Sequence, residues 1–244
     1  MLLKNKMEIF VPLIIGASFI IFLFCLFVLS KDDFLFLKKN ITIDQVFNTA
    51  FIAGLVGLFF ARIFYVVFNF APGFLNPFVF LLFPYFPGLS ILGAIIGIGL
   101  TVFAFSRGGK IPVFHVFDFF SIAFLSAASF GFVLSGMRAV VEKDPQLALK
   151  LILPLAYITT FIFFVRFFLH WRRIGELKEG SISLLFFVFF SFFQFTYNFA
   201  KATSDVAKVT LEVENYLLIP IFLISLILFI KNEGFIDQLR SGGK

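Results

Sequence analysis

Seven long apolar runs, at residues 9–30, 46–68, 88–106, 114–137, 149–171, 181–200 and 216–230, alternate with short polar stretches along the chain. About 20 apolar residues in helical form are needed to cross a hydrocarbon core about 30 Å thick, and the runs cluster around that length. Lipid offers no partner for backbone N–H and C=O groups, so each run must close its own hydrogen bonds as an α-helix. The pattern predicts an all-α integral membrane protein of seven transmembrane helices, one polytopic domain over residues 1–244. Residues 69–87, NFAPGFLNPFVFLLFPYFP, are also apolar but are broken by four prolines. Each removes a backbone donor and disfavours helix before it, so a re-entrant or interface-lying segment is expected there. The remaining stretches, 31–45, 107–113, 138–148, 172–180 and 201–215, are too short for a soluble domain. The chain shows neither the internal repeat of inverted transporter halves nor a polar stripe through any helix, which argues against a channel or transporter.

Composition sharpens this picture. With 61% hydrophobic and 14% charged residues and a mean hydropathy of +1.05, the chain has too little polar surface for a soluble globule. Lys4 and Lys6 before the first run resemble a secretory signal, but the run is too long and no small-x-small site precedes Lys31, so a retained helix is expected. Cys25, the only cysteine, lies inside that run with no disulfide partner and no lipobox around it. The net charge of +6 comes from basic residues at helix ends, as in a membrane protein, and nucleic acid is not an expected partner. Eleven of them (Lys31, Lys38, Lys39, Arg107, Lys110, Arg172, Arg173, Lys178, Lys231, Arg240, Lys244) fall on one side and seven (Lys4, Lys6, Arg138, Lys143, Lys150, Lys201, Lys208) on the other. The positive-inside rule then places the N-terminus outside and the C-terminus in the cytoplasm.

Ionisable residues inside spans are costly, about 2.5–3.5 kcal/mol at mid-helix, and so are functional candidates. Arg62, late in the second run, either snorkels to the headgroups or offers its planar fork to a phosphate. Asp118, early in the fourth run beside His115, suits a capping or interhelical role. His170, beside Trp171, suits an interfacial anchor. Gly93 and Gly97, in GLSILGAIIGIG, have the spacing that lets two helix backbones approach closely. No metal or cofactor is expected.

Several short motifs, read in order from about Thr42 to Ile230, resemble the prolipoprotein diacylglyceryl transferase family. FARIFYVVFNF resembles the family's G-G-R-x-G-Y-V-L-F-Y-N, keeping Arg62, Tyr65 and Phe68. PGLSILGAIIG resembles G-G-M-S-F-H-G-G-L-I-G, keeping Gly88, Ser90, Gly93 and Gly97, with Leu92 at the histidine. Asp118 and Gly131 match D-F-I-A-P and G-R-x-G-N-F, where the arginine is Phe132 and the asparagine Ser135. DPQLALK resembles H-P-S-Q-L-Y-E through Pro145, Gln146 and Leu147, and Ile219 and Pro220 behind Asn215 resemble G-Q-I-L-S-I-P. QFTYNFAK, residues 194–201, stands where the family has R-F-x-x-E-F-x-R, so the charged positions read Gln194, Asn198 and Lys201.

The resemblance implies the family's membrane fold and a place in the bacterial cytoplasmic membrane. It also implies a reaction that moves a diacylglyceryl group from phosphatidylglycerol to a lipobox cysteine, with phosphatidylglycerol and lipoprotein precursors as partners. That chemistry needs cations around a phosphate leaving group. Leu92, Phe132, Ser135, Gln194 and Asn198 occupy the family's catalytic positions, and the lost charge is concentrated there. The Gln194 and Asn198 exchanges neutralise as a pair, whereas losing one member would strand a buried charge at about 3–5 kcal/mol. A degenerate member that still binds phospholipid or lipoprotein is therefore expected, with Arg62, Tyr65, Ser90, Gly93 and Gln194 as lipid-binding candidates and Asp118, Gly97 and Gly131 as structural residues. The alternative is an active transferase whose catalytic groups have moved.

Overall fold

The structure, a computed structural model, describes residues 2–31, 33–70, 72–76, 80, 88–109, 111–141, 146–204 and 213–234. Its helices are α1 (Leu2–Ser30), α2 (Phe34–Lys38), α3 (Ile43–Phe68), α4 (Ile91–Gly108), α5 (Val113–Val141), α6 (Leu147–Arg173), α7 (Ser181–Ser204) and α8 (Val213–Glu233). Residues Phe164–Phe168 within α6 take a π-helical turn. Seven of the eight, all but α2, are long and apolar enough to cross a membrane. The protein is an all-α, multi-pass membrane protein, and no strand occurs among the described residues. Most of the proline-rich stretch 69–87 lies outside the described residues; within it, Pro72–Leu75 forms a 3-10 turn.

Some helices overrun their apolar runs because local capping extends them. α3 begins at Ile43, ahead of the apolar run, because the Thr42 hydroxyl accepts the Gln45 N–H while the Gln45 side chain accepts the Thr42 N–H. That reciprocal pair satisfies two otherwise orphaned donors. The short stretch 31–45 between the first two runs contains α2, which forms because the Asp33 carboxylate accepts the Leu35 and Phe36 N–H groups.

The chain divides into two compact units, Met1–Val116 and Phe117–Lys244, with the boundary inside α5. In the first, α3 packs along α4 at backbone distance. A Cβ added at Gly93 would stand 2.6 Å from the Phe60 carbonyl oxygen, and one at Gly97 would stand 2.8 Å from Phe60 Cβ. Gly57 meets Ile98 in the same way, at 2.8 Å. Without a hydrophobic driving force between helices in lipid, such small-residue contacts supply the packing. α1 joins through Phe19, whose ring lies edge-on to Phe51 at 5.5 Å.

In the second unit, α7 packs against α6 and α8. Tyr157 of α6 is fully buried between Phe132 of α5, 4.8 Å away, and Phe193 of α7, 5.6 Å away. The start of α7 is held from outside its own sequence. Asp118 of α5 is fully buried and accepts the Gly180 and Ser183 N–H groups, both at 2.9 Å, and an N–H of Arg172. Gly180 has no side chain to cap the helix, so the carboxylate of a distant residue does it. Lys178 and Ser181 tie the same loop to Glu233 at the end of α8.

Candidate functional site

The candidates fall into two groups, one in each unit. In the first, Arg62 on α3 is buried at 4% exposure. Its Nε donates to the Phe80 carbonyl at 2.9 Å and its Nη1 to the Gly88 carbonyl at 2.8 Å, while the guanidinium lies 5.7 Å from the Tyr65 ring centroid and 5.2 Å from that of Phe74. The side chain thus clasps both ends of the segment that leads into α4. Tyr65 completes the clasp. Gly88 has a φ of +149°, and a Cβ there would fall 2.1 Å from the Tyr65 ring. Only glycine fits, for conformational and steric reasons together.

The other first-unit candidates are also engaged. Ser90 caps α4, its hydroxyl accepting the Gly93 N–H at 3.0 Å, and its own N–H donates to the Ala61 carbonyl. Gly93 and Gly97 lie against α3. Leu92, at the position where the resemblance expects histidine, is 3% exposed and offers no polar atom.

In the second unit the seam is polar but uncharged at Gln194 and Asn198, two of the three motif positions of α7. Gln194 Nε2 donates to Asn198 Oδ1 at 3.4 Å, and Asn198 Nδ2 donates to Asn215 Oδ1 of α8 at 2.8 Å. Among the described residues, Gln194 Oε1, Ser191 Oγ and Tyr157 Oη are buried with no hydrogen-bond partner. An unpartnered buried polar atom costs about 1–3 kcal/mol, so three in one unit call for a function. Phe132 presents its ring to Tyr157. Ser135 is exposed on α5, and Gly131 lies one residue before Phe132 on the same helix.

Asp118 and His115 belong to different clusters despite their closeness in sequence. Asp118 caps α7, while His115 Nε2 meets Asp33 Oδ1 at 2.8 Å and stacks edge-on with Phe36 at 5.1 Å. Asp33 lies between spans, and its carboxyl is held below the usual carboxylate range. Burial would raise it, but the hydrogen bond and charge of His115 and the Phe36 and Leu35 N–H groups outweigh burial. His170 is exposed at the end of α6. Among the described residues, no three His, Cys, Asp or Glu side chains are grouped to hold a metal.

Hydrophobicity alone gave no polar stripe, and the structure corrects this for one half of a helix. Ser191, Gln194 and Asn198 repeat at the three-four spacing of one helical face of α7, and the surrounding phenylalanines masked it. Ser191 and Tyr157 were missed as site residues for the same reason: each is a single hydroxyl inside an apolar run.

No curated protein matches the chain. Residues 10–133, just over half of its 244 residues, match the prolipoprotein diacylglyceryl transferase family. The matched region includes Arg62, Tyr65, Ser90, Leu92, the glycine contacts of α3 and α4, Asp118 and Phe132; Ser135, Gln194 and Asn198 lie beyond it. With seven membrane-spanning helices and this match, the chain belongs to the prolipoprotein diacylglyceryl transferase family.

Proposed function

We propose that this family member binds phospholipid without carrying out the family's transfer reaction, and that it does so through uncharged polar groups. The observation that carries the reading is the polar content of the second unit, where the Gln194–Asn198–Asn215 amide chain leaves Gln194 Oε1 without a partner among the described residues, and the buried hydroxyls of Ser191 and Tyr157 likewise lack one. Amides and hydroxyls suit the ester carbonyls and glycerol hydroxyls of phosphatidylglycerol. They do not replace cations at a departing phosphate. One preorganised charged group removed from such a site costs about 2.7–4 kcal/mol in the barrier, or about 10² to 10³ in rate. Losses within one site do not simply add, but Leu92, Phe132 and Gln194 leave no ionic group at three of the positions concerned. Arg62 serves in this reading as a positioning residue, because its fork already holds two backbone carbonyls. The protein would act in the bacterial cytoplasmic membrane, as one polytopic body with its N-terminus outside, on phosphatidylglycerol or lipoprotein precursors.

The test is direct. Purified protein given phosphatidylglycerol and a lipobox peptide should release glycerol phosphate at the rate of a protein-free control, while retaining phosphatidylglycerol in native mass spectrometry. Gln194→Leu should weaken that retention. Turnover above control that disappears in Arg62→Ala would instead establish the active transferase with relocated groups.

A further inference from the structure

Arg166 lies inside the α6 span, in the π-helical turn Phe164–Phe168, and its side chain is exposed. It makes no ion pair among the described residues. Its neighbour Arg172 does the opposite, turning inward to the buried carboxylate of Asp118. A permanently charged guanidinium on the lipid-facing surface of a span is costly unless an anion or water meets it. Here it is not isolated. His170 and Arg173, four and seven residues further on, are exposed as well, and spacings of four and seven return to one face of a helix. Arg166 and Arg173 are separated by about 10 Å along the axis at 1.5 Å per residue, within the combined reach of two arginine side chains.

The surroundings select the class of anion. The tilted rings of Phe163 and Phe167 lie 4.8 Å apart and those of Phe167 and Trp171 6.2 Å apart, and all three are exposed beside the cationic stripe. Tryptophan favours headgroup depth, so the aromatic ladder marks the passage from acyl chains to headgroups at the Arg173 end of α6. The complementary ligand therefore carries acyl chains along the aromatic rings and a negative phosphate at the arginines. A soluble anion would satisfy only half of the surface.

We infer that Arg166, His170 and Arg173 form a headgroup site for an anionic phospholipid on the lipid-facing surface of α6, separate from the amide seam of Gln194. The arginines hold the phosphate and the histidine contributes a further donor. This site fixes a lipid of the surrounding bilayer and takes no part in any transfer reaction.

The experiment uses the full chain in detergent, with phosphatidylglycerol or phosphatidylcholine added, and counts retained lipids by native mass spectrometry. Each basic residue near a membrane surface contributes about fivefold to anionic lipid affinity. Arg166→Gln should therefore weaken phosphatidylglycerol binding at this site about fivefold and the R166Q/R173Q pair about thirtyfold, seen as the loss of one of the retained lipids. Arg166→Lys should retain most of it, Gln194→Leu should leave this loss unchanged, and phosphatidylcholine retention should not move. Melting temperatures equal to the parent protein confirm that the variants are folded; if R166Q does not fold, R173Q alone carries the test. Equal loss of both lipids, or loss of neither, overturns the site. So does displacement of phosphatidylglycerol by excess inorganic phosphate, which would mark a bilayer-independent anion site. A fall in oligomer size in R166Q/R173Q with lipid retention intact would assign the face to a second copy of the chain and equally overturn it.

Discussion

Asp118 Oδ1 accepts the N–H of Ser183 at 2.9 Å, so a residue of α5 caps a helix that begins more than sixty positions later. The carboxylate also holds Arg172, whose side chain is 8% exposed. Asp118→Asn should therefore remove the close counter-charge of a buried guanidinium and leave it the more distant Glu179 carboxylate, 4.0 Å away, at a cost of up to about 3–5 kcal/mol. The double variant D118N/R172Q should recover part of the loss. A double-mutant cycle in detergent, read by thermal midpoint, checks this; additive effects would show that the two side chains act independently.

The α3–α4 contact gives a second expectation. Gly97→Ala forces a methyl group to within 2.8 Å of Phe60 Cβ and 3.0 Å of the Val56 carbonyl oxygen. Overpacking of this kind costs about 1–3 kcal/mol. Gly16→Ala in α1, where nothing lies within 4 Å of the added Cβ, should be neutral or slightly stabilising. Comparable melting temperatures for both would mean that the helices part easily.

Acid should weaken the first unit at the Asp33 cap. The Asp33 carboxyl is held below its ordinary value of 3.8, so its contribution is complete above that value and disappears as the pH falls through the lower, folded value. Thermal midpoints measured from neutrality down to about pH 3 should fall on the acid side of about pH 4. They should fall less steeply in Asp33→Asn. Parallel curves would exclude Asp33 as a source of the acid limb.

Topology is open to a simple labelling experiment. A reporter fused near Leu3 should be accessible from outside the cell and one near Gly243 from the cytoplasm, following the eleven-to-seven division of basic residues. Reporters on the same side would contradict an odd number of crossings.

The seven spans were legible because burial in lipid demands long apolar runs, and such runs survive extensive sequence change. Their ends were not, since Thr42 and Gln45 extend α3 through a local exchange of hydrogen bonds that hydrophobicity does not register. The importance of Arg62 was visible from its charge, whereas its partners were hidden: both are backbone carbonyls, 18 and 26 residues away. Asp118 was read as a capping or interhelical residue, but the helix it caps could not be named from spacing, because tertiary contact alone brings it to Gly180. The neutral motif positions Gln194 and Asn198 were legible through family resemblance. Their link to Asn215 is a contact between α7 and α8 that spacing along the chain does not reveal.

The π-helical turn of α6 fixes more than local geometry. The i→i+5 turn accommodates one extra residue in the winding, so deleting one residue between Phe164 and Phe168 would let α6 return to ordinary α winding with the face beyond it directed as before. Arg172 would then keep its direction toward Asp118, and the start of α7 its cap. Deleting one residue from the ordinary α winding between Leu169 and Arg172 would instead turn Arg172 by about 100°, the angle of a single residue step, away from Asp118. The π turn should therefore tolerate the loss of one residue better than the α-helical turn that follows it.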